Sequence, residues 1–390
     1  MKRSLKVAVL AACPFPTHQG TQVLVRHIAE AQVRAGHEVE LFSYGYGEAS
    51  EQTGFVHHAV PCLNAGLRSG PSLKRLVNDG FLGWGLRKAL IKNKFDILHV
   101  HNVEGLLIGL ALKLSGIKIP LVYQAHNTML EELPTYYSNR WARLGMRLAG
   151  GAFDALLPRW ADAQIVFDNA HRELQIRRGA SHQNVFVAKP GLDGSELRNT
   201  PKVDVDLPEA RYIAYCGNPD GYQNLDLLWK SLRLARRKTP DLKLLVLSRA
   251  KPEDFGPRAL EALEAGGVVF RRYQNLEEMV SYLREAEVGI SSRALSTGFP
   301  VKLISYLQLG LKAVACRSSM ATQGCPKDVW LAPAEPNGFA QAILEAMAAP
   351  SIGSTKAPSF EIDESMGSYA QAYDFVLNKV PKPRLLERVG

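Results

Sequence analysis

Residues 5–42 read LKVAVLAACPFPTHQGTQVLVRHIAEAQVRAGHEVELF and contain two apolar runs with an amphipathic segment between them. The runs at residues 5–12 and 38–42 have the pattern of strands, and the segment between them has apolar residues at helical spacing until Gly36 ends it. A strand, loop, helix and strand in this order form a right-handed unit with parallel strands. The start of the chain therefore predicts an α/β domain.

The same order of elements returns in the second half of the chain. Residues 97–101 and 121–125 predict further parallel strands, and a segment rich in proline and acidic residues at 200–209 predicts a domain junction. Residues 211–247 then repeat the order of strand, loop, helix and strand without repeating the residues. We therefore expect two Rossmann-like, doubly wound parallel-sheet domains with a ligand-binding cleft between them.

Composition limits the class and the location of the protein. The chain has 390 residues, 46% of them hydrophobic, and its apolar runs are too short to span a bilayer. We recognise no signal peptide, and the five scattered cysteines fit a reducing cytoplasm. The net charge of +9 favours an anionic partner, which is a nucleotide diphosphate, a membrane surface or a nucleic acid. Nucleic acid ranks last because no recognition motif for it is present.

Two basic segments stand out from the average charge. Between Arg68 and Lys94, seven basic residues are interleaved with leucines and aromatic residues against a single aspartate. This mixture suits an anionic lipid interface, so we expect attachment at the inner face of the plasma membrane. Arg140, Arg143 and Arg147 share one side of a predicted helix and form a second basic face. A solvated surface is the alternative for both segments.

The strongest local signal for chemistry lies at residues 296–310, which read STGFPVKLISYLQLG. Pro300 is placed to be the first residue of a helix, and Gly310 is placed to end it. Free N–H groups and the positive dipole at the helix start would hold an anion such as a diphosphate. Lys302 in the first turn opposes the dipole unless an anion lies nearby, so Lys302 and Arg293 are predicted to stabilise a leaving diphosphate. A solvated lysine is the alternative.

Three further positions are candidates for the site. Gly20 and Thr21 open the first helix, where glycine allows close backbone approach and threonine is expected to cap, although neither a dinucleotide fingerprint nor a phosphate loop is present. His126 follows a predicted strand at the carboxyl edge of the sheet, with a structural histidine as the alternative. His99 and His101 could form half of a zinc site, but no third ligand has a suitable spacing, so we expect no metal.

With these residues in place, the sequence resembles the retaining GT-B glycosyltransferases of family 4 (glycosyl transferases group 1) over nearly its whole length. The matching landmarks are, in order, AGHEVELF, FDILHVHN, LVYQAHN, KPGLD and IAYCGNPDGYQNLDLL. The resemblance implies a hexosyltransferase with a nucleotide-diphosphate sugar as donor substrate and without a cofactor. It implies an acceptor-side domain at residues 1–200, a nucleotide-sugar-binding domain at 201–365, and a C-terminal helix and tail at 366–390 that pack back toward the first domain.

The resemblance also assigns roles to individual residues. Gly20 would approach the diphosphate, His126 would lie against the donor sugar, and Ser305 would face the ribose. The expected catalytic residues are His126, Lys302 and Arg293, and the expected donor-binding residues are Gly20, Thr21, Gly217, Asn218, Gln223, Arg272, Tyr273, Thr297, Gly298, Phe299, Pro300, Val301 and Ser305.

Four positions depart from the family's usual pattern. The family usually has two glutamates at the positions of Thr297 and Ser305, and an arginine and a lysine at the positions of Asn218 and Gln223. This pattern resembles a subgroup with a "YQ" loop and a "TPLK" turn, in which the lysine of the turn takes over phosphate binding. In this chain that lysine is Lys302.

We therefore expect a retaining enzyme that transfers a hexose to a lipid-linked or envelope glycan by front-side displacement. The main alternative is a non-catalytic nucleotide-sugar-binding or scaffold protein of the same fold, because four polar contacts are altered together. A sugar-nucleotide epimerase is a third reading. The sequence leaves open the donor base and sugar, the acceptor, the linkage, the oligomeric state and the effect of the four altered positions on activity.

Overall fold

The computed structural model describes residues 4–17, 19–46, 53–66, 70–296, 298–320, 328–350 and 360–379. The strands of a first sheet are β1 (Lys6–Pro14), β2 (Glu38–Tyr44), β3 (Val56–Val60), β4 (Ile97–His101), β5 (Leu121–Gln124), β6 (Ala163–Val166) and β7 (Val185–Val187). The strands of a second sheet are β8 (Arg211–Cys216), β9 (Leu242–Leu247), β10 (Val268–Arg271), β11 (Val288–Ser291), β12 (Lys312–Cys316) and β13 (Val329–Ala332). The strand orders are 3-2-1-4-5-6-7 and 10-9-8-11-12-13.

Helices cover both faces of the two sheets. The helices of the first half are α1 (Gly20–Arg34), α2 (Leu73–Lys92), α3 (Asn102–Leu114), α4 (Met129–Glu132), α5 (Arg140–Leu156), α6 (Asn169–Arg177) and α7 (Gly194–Asn199). Those of the second half are α8 (Leu225–Arg236), α9 (Pro257–Glu264), α10 (Leu276–Arg284), α11 (Val301–Gln308), α12 (Arg317–Met320), α13 (Pro336–Ala348) and α14 (Ile362–Lys379). All strand pairs are parallel, which confirms the predicted pair of doubly wound α/β sheets.

Strand β1 shows why the apolar runs are nearly continuous. Val7 and Val9 pack in the hydrophobic cluster that contains the buried side of α1, whereas Ala8 and Leu10 pack in the cluster that contains the buried side of α3. Successive side chains of a strand point to opposite faces, so a sheet that is covered on both faces needs apolar residues at every position.

The last helix, α14, returns to the first sheet. It packs against α1, β5, β6 and β7, although the chain has already completed the second sheet. Tyr373 is fully buried and its hydroxyl lies 2.8 Å from Nδ1 of His99, while Nε2 of Gln32 donates to the same hydroxyl at 2.8 Å. Tyr369 accepts a hydrogen bond of 2.8 Å from Nε2 of Gln124. The helix therefore links the end of the chain to the interior of the first domain.

Two helices of the first domain leave apolar residues on the surface. In α2 only Asn78, Leu82 and Leu86 are buried, and Leu73 is 82% exposed. In α5 the exposed apolar residues follow helical spacing, with Leu148 at 70%. Arg68, the first residue of the predicted membrane segment, lies outside the described residues. Within the described part of the chain, no helix is both long and apolar enough to cross a membrane.

Candidate active site

A cavity of about 810 Å³ lies between the two domains. Two helices, one from each domain, begin at its wall: α1 at Gly20 and α11 at Val301. The two starts are close, because a Cβ atom added to Gly20 would lie 3.7 Å from Cβ of Val301. Each helix start presents unpaired N–H groups and the positive end of a dipole, so both favour an anion in the space before them.

The two helix starts differ slightly from the sequence expectation. Pro300 has extended backbone angles and precedes the helix as its N-cap, so the first helical residue is Val301 rather than Pro300. Thr21 lies inside the first turn of α1, where Gln19 occupies the N-cap position without a side-chain cap. The predicted capping role of Thr21 is therefore wrong, and neither N-cap residue, Gln19 or Pro300, caps its helix with its side chain.

Lys302 lies in the first turn of α11 and points at the second domain's first loop. Its Nζ donates to Oε1 of Gln223 at 2.9 Å and lies 3.9 Å from the centre of the Tyr215 ring. Loss of hydration lowers the pKa of Lys302 to about 7, although Cys216 and Asp220 partly oppose the shift. Among the residues that the structure describes, no carboxylate forms an ion pair with this ammonium, and an anionic ligand would supply the opposite charge.

Two glycines allow close backbone approach, one beside Lys302 and one against the first domain. Gly217 has a φ of +149°, and an added Cβ there would lie 3.0 Å from Nζ of Lys302. Gly298 has a φ of +74°, and an added Cβ would collide with Oδ1 of Asn127 and the carbonyl oxygen of His126. A side chain at Gly298 would therefore push the turn before α11 away from the first domain.

Arg293 connects the two domains beside the cavity. It is 3% exposed, and its guanidinium donates to Oδ1 of Asn127 at 2.8 Å. Asn127 in turn donates to Oε2 of Glu132 at 2.7 Å, and Tyr136 donates to Oε1 of Glu132 at 2.6 Å. These hydrogen bonds fix the position of Arg293 relative to the first domain. Burial lowers the pKa of Arg293, but a guanidinium remains charged at neutral pH.

His126 is a neutral histidine at the cavity wall. It is 4% exposed, its Nε2 lies 2.9 Å from Nδ1 of His101, and its ring meets that of Phe167 edge to face at 5.2 Å. Burial first, and repulsion from His99 second, lower the pKa of His126 to about 3. At neutral pH the His101–His126 pair shares one hydrogen between two uncharged rings, so His126 can position a sugar hydroxyl but cannot supply positive charge.

The structure brings most of the predicted site residues together. The residues that line the cavity are Gly20, Thr21, His126, Gly217, Asn218, Gln223, Tyr273, Arg293, Phe299, Pro300, Val301, Lys302 and Ser305. Gly298 lies behind the wall, against the first domain. Arg272 is outside the cavity, because it is exposed and its guanidinium donates to the carbonyl oxygen of Arg249 at 2.8 Å. Thr297 lies outside the described residues.

Sequence reasoning missed a group of acidic residues on the first-domain wall of the cavity. Asp79 of α2, Glu104 of α3 and Glu132 of α4 line this part of the wall. Glu104 could have been found, because it follows β4 at the carboxyl edge of the sheet, where His126 was placed by the same rule. For Asp79, the sequence signal was only that it is the single acidic residue between Arg68 and Lys94.

The paired histidines of β4 have a structural explanation. The rings of His99 and His101 stack with their centres 4.6 Å apart, which confirms that they point the same way. His99 contacts Tyr373 of α14, and His101 contacts His126. In the parts of the chain that the structure describes, no group of three or more histidine, cysteine or acidic residues is placed to hold a metal.

Comparisons with known proteins agree with this geometry. Residues 18–196 match the family model described as Glycosyltransferase Family 4, and residues 210–349 match the model described as Glycosyl transferases group 1. The first matched segment contains β2 to β7, and the second contains β8 to β13, while β1 and α14 lie outside both. A D-inositol 3-phosphate glycosyltransferase of Pseudarthrobacter chlorophenolicus is 25% identical over 350 residues, which are 80% of this chain and 79% of the relative.

Solved structures of low sequence identity share the fold. Sucrose-phosphate synthase from Thermosynechococcus elongatus superposes with a TM-score of 0.68 at 16% identity, over 96% of this chain and 94% of that one. HepE from Anabaena, in complex with UDP and glucose, superposes with a TM-score of 0.62 at 15% identity, over 96% and 98% of the two chains. Taken with the two family models, these findings show that the chain belongs to the glycosyltransferases of family 4, group 1, and has the GT-B fold.

Proposed function

We propose that this glycosyltransferase transfers a hexose from a nucleotide-diphosphate sugar to an acceptor hydroxyl with retention of configuration. The observation that carries the proposal is the convergence of two uncapped helix starts and Lys302 on one cavity between the domains. Such a site fits a diphosphate, because its positive charge is already in place when the bond to the sugar breaks. The HepE structure, which has the same fold and is described as a complex with UDP and glucose, supports the same class of donor.

The chemistry requires one bond to break and one to form at the same sugar carbon. In a front-side displacement, the bond from the anomeric carbon to the diphosphate oxygen breaks while the acceptor oxygen bonds on the same face. The proton of the acceptor hydroxyl passes to the departing diphosphate oxygen, so no protein base is needed. Lys302 and the two helix starts stabilise the negative charge that develops on that oxygen, and neutral His126 orients the sugar.

The two exposed helices support a membrane surface as the place of action. Leu76 of α2 and Met146 and Phe153 of α5 line the acceptor end of the cavity, so the two helices flank its mouth. Away from the cavity the two helices carry further exposed apolar residues among basic ones, which are Val77, Phe81, Trp84, Ile91, Trp141, Leu144, Leu148 and Leu156. Anionic lipid would satisfy both features, which favours a lipid-linked or envelope glycan as acceptor.

Vesicle flotation tests the membrane part of the proposal. The protein should float with vesicles that contain about 30% anionic lipid and remain behind with neutral vesicles, since the basic residues supply the attraction. The variants Trp84→Ser and Leu148→Ser should each reduce flotation, while Leu263→Ser, at an exposed position on α9 in the other domain, should not. Equal flotation with neutral and anionic vesicles would refute the anionic surface.

A second candidate function rests on the altered family positions. Asn218, Gln223 and Ser305 line the cavity, and none of them carries the charge that the family usually has there. A protein that binds a nucleotide sugar without turning it over would have these features. Binding without hydrolysis or transfer over a broad acceptor panel would favour this reading.

Donor binding is the decisive experiment for the main proposal. Purified protein would be screened by thermal shift and calorimetry against UDP-, GDP-, ADP- and TDP-sugars, because a ligand of the native state raises its apparent stability. Hits would then be assayed for donor hydrolysis. Lys302→Ala should weaken binding and slow hydrolysis, whereas Lys230→Ala, at a surface ion pair with Asp226, should change neither. Unchanged kinetics in Lys302→Ala would mean that the phosphate charge is supplied elsewhere.

A further inference from the structure

The first-domain wall of the cavity, which the proposed function assigns to the acceptor and which is called the acceptor end here, carries acidic groups that the donor chemistry does not use. Asp79, Glu104 and Glu132 come from three different helices and line the same part of the cavity. Tyr44 donates to Oδ1 of Asp79 at 2.6 Å, which holds that carboxyl in place, and Tyr136 holds Glu132 in the same way. The three carboxyls are therefore set on separate rigid elements around one space.

Negative charge exceeds positive charge on this wall of the cavity. Arg26 lines the wall, but its guanidinium donates to both carboxylate oxygens of Glu196 at 2.8 and 2.7 Å. Arg75 is the second arginine on this wall. Burial raises the pKa of Asp79 and of Glu104, and the charge of nearby Arg75 partly opposes this shift. Arg293 of the second domain also approaches Glu132, through Asn127. Among the described lining residues around this wall, the carboxyls of Asp79, Glu104 and Glu132 thus outnumber Arg75 and Arg293.

Glu104 is the carboxyl best placed to meet a ligand. Its side chain is open to the interior of the cavity rather than covered by other side chains. The enclosure raises its pKa to about 7, with desolvation as the main cause and Glu132 and Asp79 adding repulsion. A carboxyl in this state can accept a hydrogen bond from a hydroxyl, or donate one when protonated.

These features decide which acceptor the wall can hold. A phosphate group would be repelled by the carboxylates, whereas sugar hydroxyls would donate to them at little electrostatic cost. We infer that the acceptor end of this cleft takes an uncharged, hydroxyl-rich group, such as the unphosphorylated terminal sugar of a glycan, and rejects sugar phosphates. The inference rests on the proposed transferase function and adds the chemical class of the acceptor.

The inference separates this chain from the curated relative, whose name gives a phosphorylated acceptor, D-inositol 3-phosphate. The apolar side chains beside the acidic wall, which include Leu76, Leu107 and Phe153, would contact an alkyl or lipid portion of the acceptor. An alkyl glycoside is therefore the natural probe, because it combines free hydroxyls with an apolar tail.

The test compares matched neutral and phosphorylated acceptors. With the donor found in the screen, n-octyl glucoside and n-octyl galactoside should be glycosylated with a kcat/KM at least about 100-fold above that of glucose 6-phosphate and inositol 3-phosphate. Glu104→Lys should reduce the ratio of kcat/KM for neutral glycosides to kcat/KM for sugar phosphates by at least about 10-fold, and Asp79→Asn should also reduce it. Glu345→Lys, at an exposed position of α13 outside the cavity, is the matched control for the charge change.

Two readouts keep this inference apart from the proposed function. Donor dissociation constants and donor hydrolysis are first measured for the unmodified protein and for Glu345→Lys, which should agree because Glu345 lies outside the cavity. Failure of donor binding would refute the proposed function itself. If the donor is used normally but sugar phosphates are the preferred acceptors, the inference about the acceptor is wrong. It is equally wrong if no neutral sugar acts as an acceptor or binds in saturation-transfer NMR.

Discussion

The pKa of Lys302 makes donor binding depend on pH in a way that can be calculated. A diphosphate attracts the ammonium form of the side chain, and the free protein holds the pKa of that amine at about 7. A bound diphosphate raises this pKa, because an opposite charge favours the protonated form. Binding should therefore take up protons above neutral pH and weaken as the pH rises.

The size of the effect follows from the fraction of charged amine. About half of the free protein carries the ammonium at pH 7.0, and about 3% carries it at pH 8.5, given a pKa of about 7. If the bound pKa lies well above 8.5, the dissociation constant of the nucleoside diphosphate increases about 16-fold between these values, which corresponds to about 1.6 kcal/mol. At pH 7.0 binding should take up about half a proton.

Titration calorimetry measures both quantities. Repeating the titration in two buffers of different ionisation enthalpy gives the number of protons taken up, and titrations from pH 7.0 to 8.5 give the slope. Lys302→Arg should bind with almost no pH dependence, because a guanidinium stays charged throughout this range. The reasoning would be refuted if Lys302→Met kept the full slope, since the titrating group would then be another residue or the nucleotide.

Three further outcomes are expected from the same structure. Placing an alanine at a positive φ costs ~1–2 kcal/mol of stability. Gly266→Ala, at a φ of +65° with open space around it, should show only this cost in thermal unfolding. Gly298→Ala should be destabilised by more than this and should also bind the donor more weakly, because its Cβ collides with the first domain. Burial lowers the pKa of both His99 and His126 to about 3, whereas a histidine of the unfolded chain has a pKa of about 6.5. The unfolded state therefore binds more protons as the pH falls, and the free energy of unfolding should decrease by about 1.4 kcal/mol for each histidine between pH 7.5 and 5.5. In denaturant titrations, His99→Gln should lack the part of this pH dependence that comes from His99. Tyr373→Phe should cost about 1–3 kcal/mol, because it leaves its two buried partners without the hydroxyl, and an unchanged denaturation midpoint would contradict the role given to α14.

Much of the site was predictable because its parts follow local rules. The helix start near Pro300 and the position of Lys302 in its first turn follow from proline, glycine and apolar spacing within fifteen residues. Placing His126 at the carboxyl edge of the sheet required only a predicted strand before it. The errors were also local, since the N-cap of α1 is Gln19 rather than Thr21. Cap positions depend on backbone angles at single residues, which periodicity does not resolve.

The departures from prediction have tertiary causes. Arg272 precedes Tyr273 by one residue, but only Tyr273 lines the cavity, because the loop turns the arginine toward the Arg249 carbonyl at the surface. His99 and His101 were a metal candidate from the sequence, whereas in the structure α14 places Tyr373 against His99, and His101 pairs with His126. A helix that begins near residue 362 was needed to explain two histidines near residue 100.

By itself the sequence determined the α/β class, the two-domain order and the helix start that holds Lys302, because hydrophobic periodicity and turn residues act over short segments. Only the tertiary structure decided that Gly20 and Val301 face each other and that Asp79, Glu104 and Glu132 share one wall. Those contacts join residues far apart in the chain, and their geometry depends on how the two sheets and their helices pack. The class of fold is therefore a local property of this chain, whereas the charge pattern around its acceptor is a property of the assembled cleft.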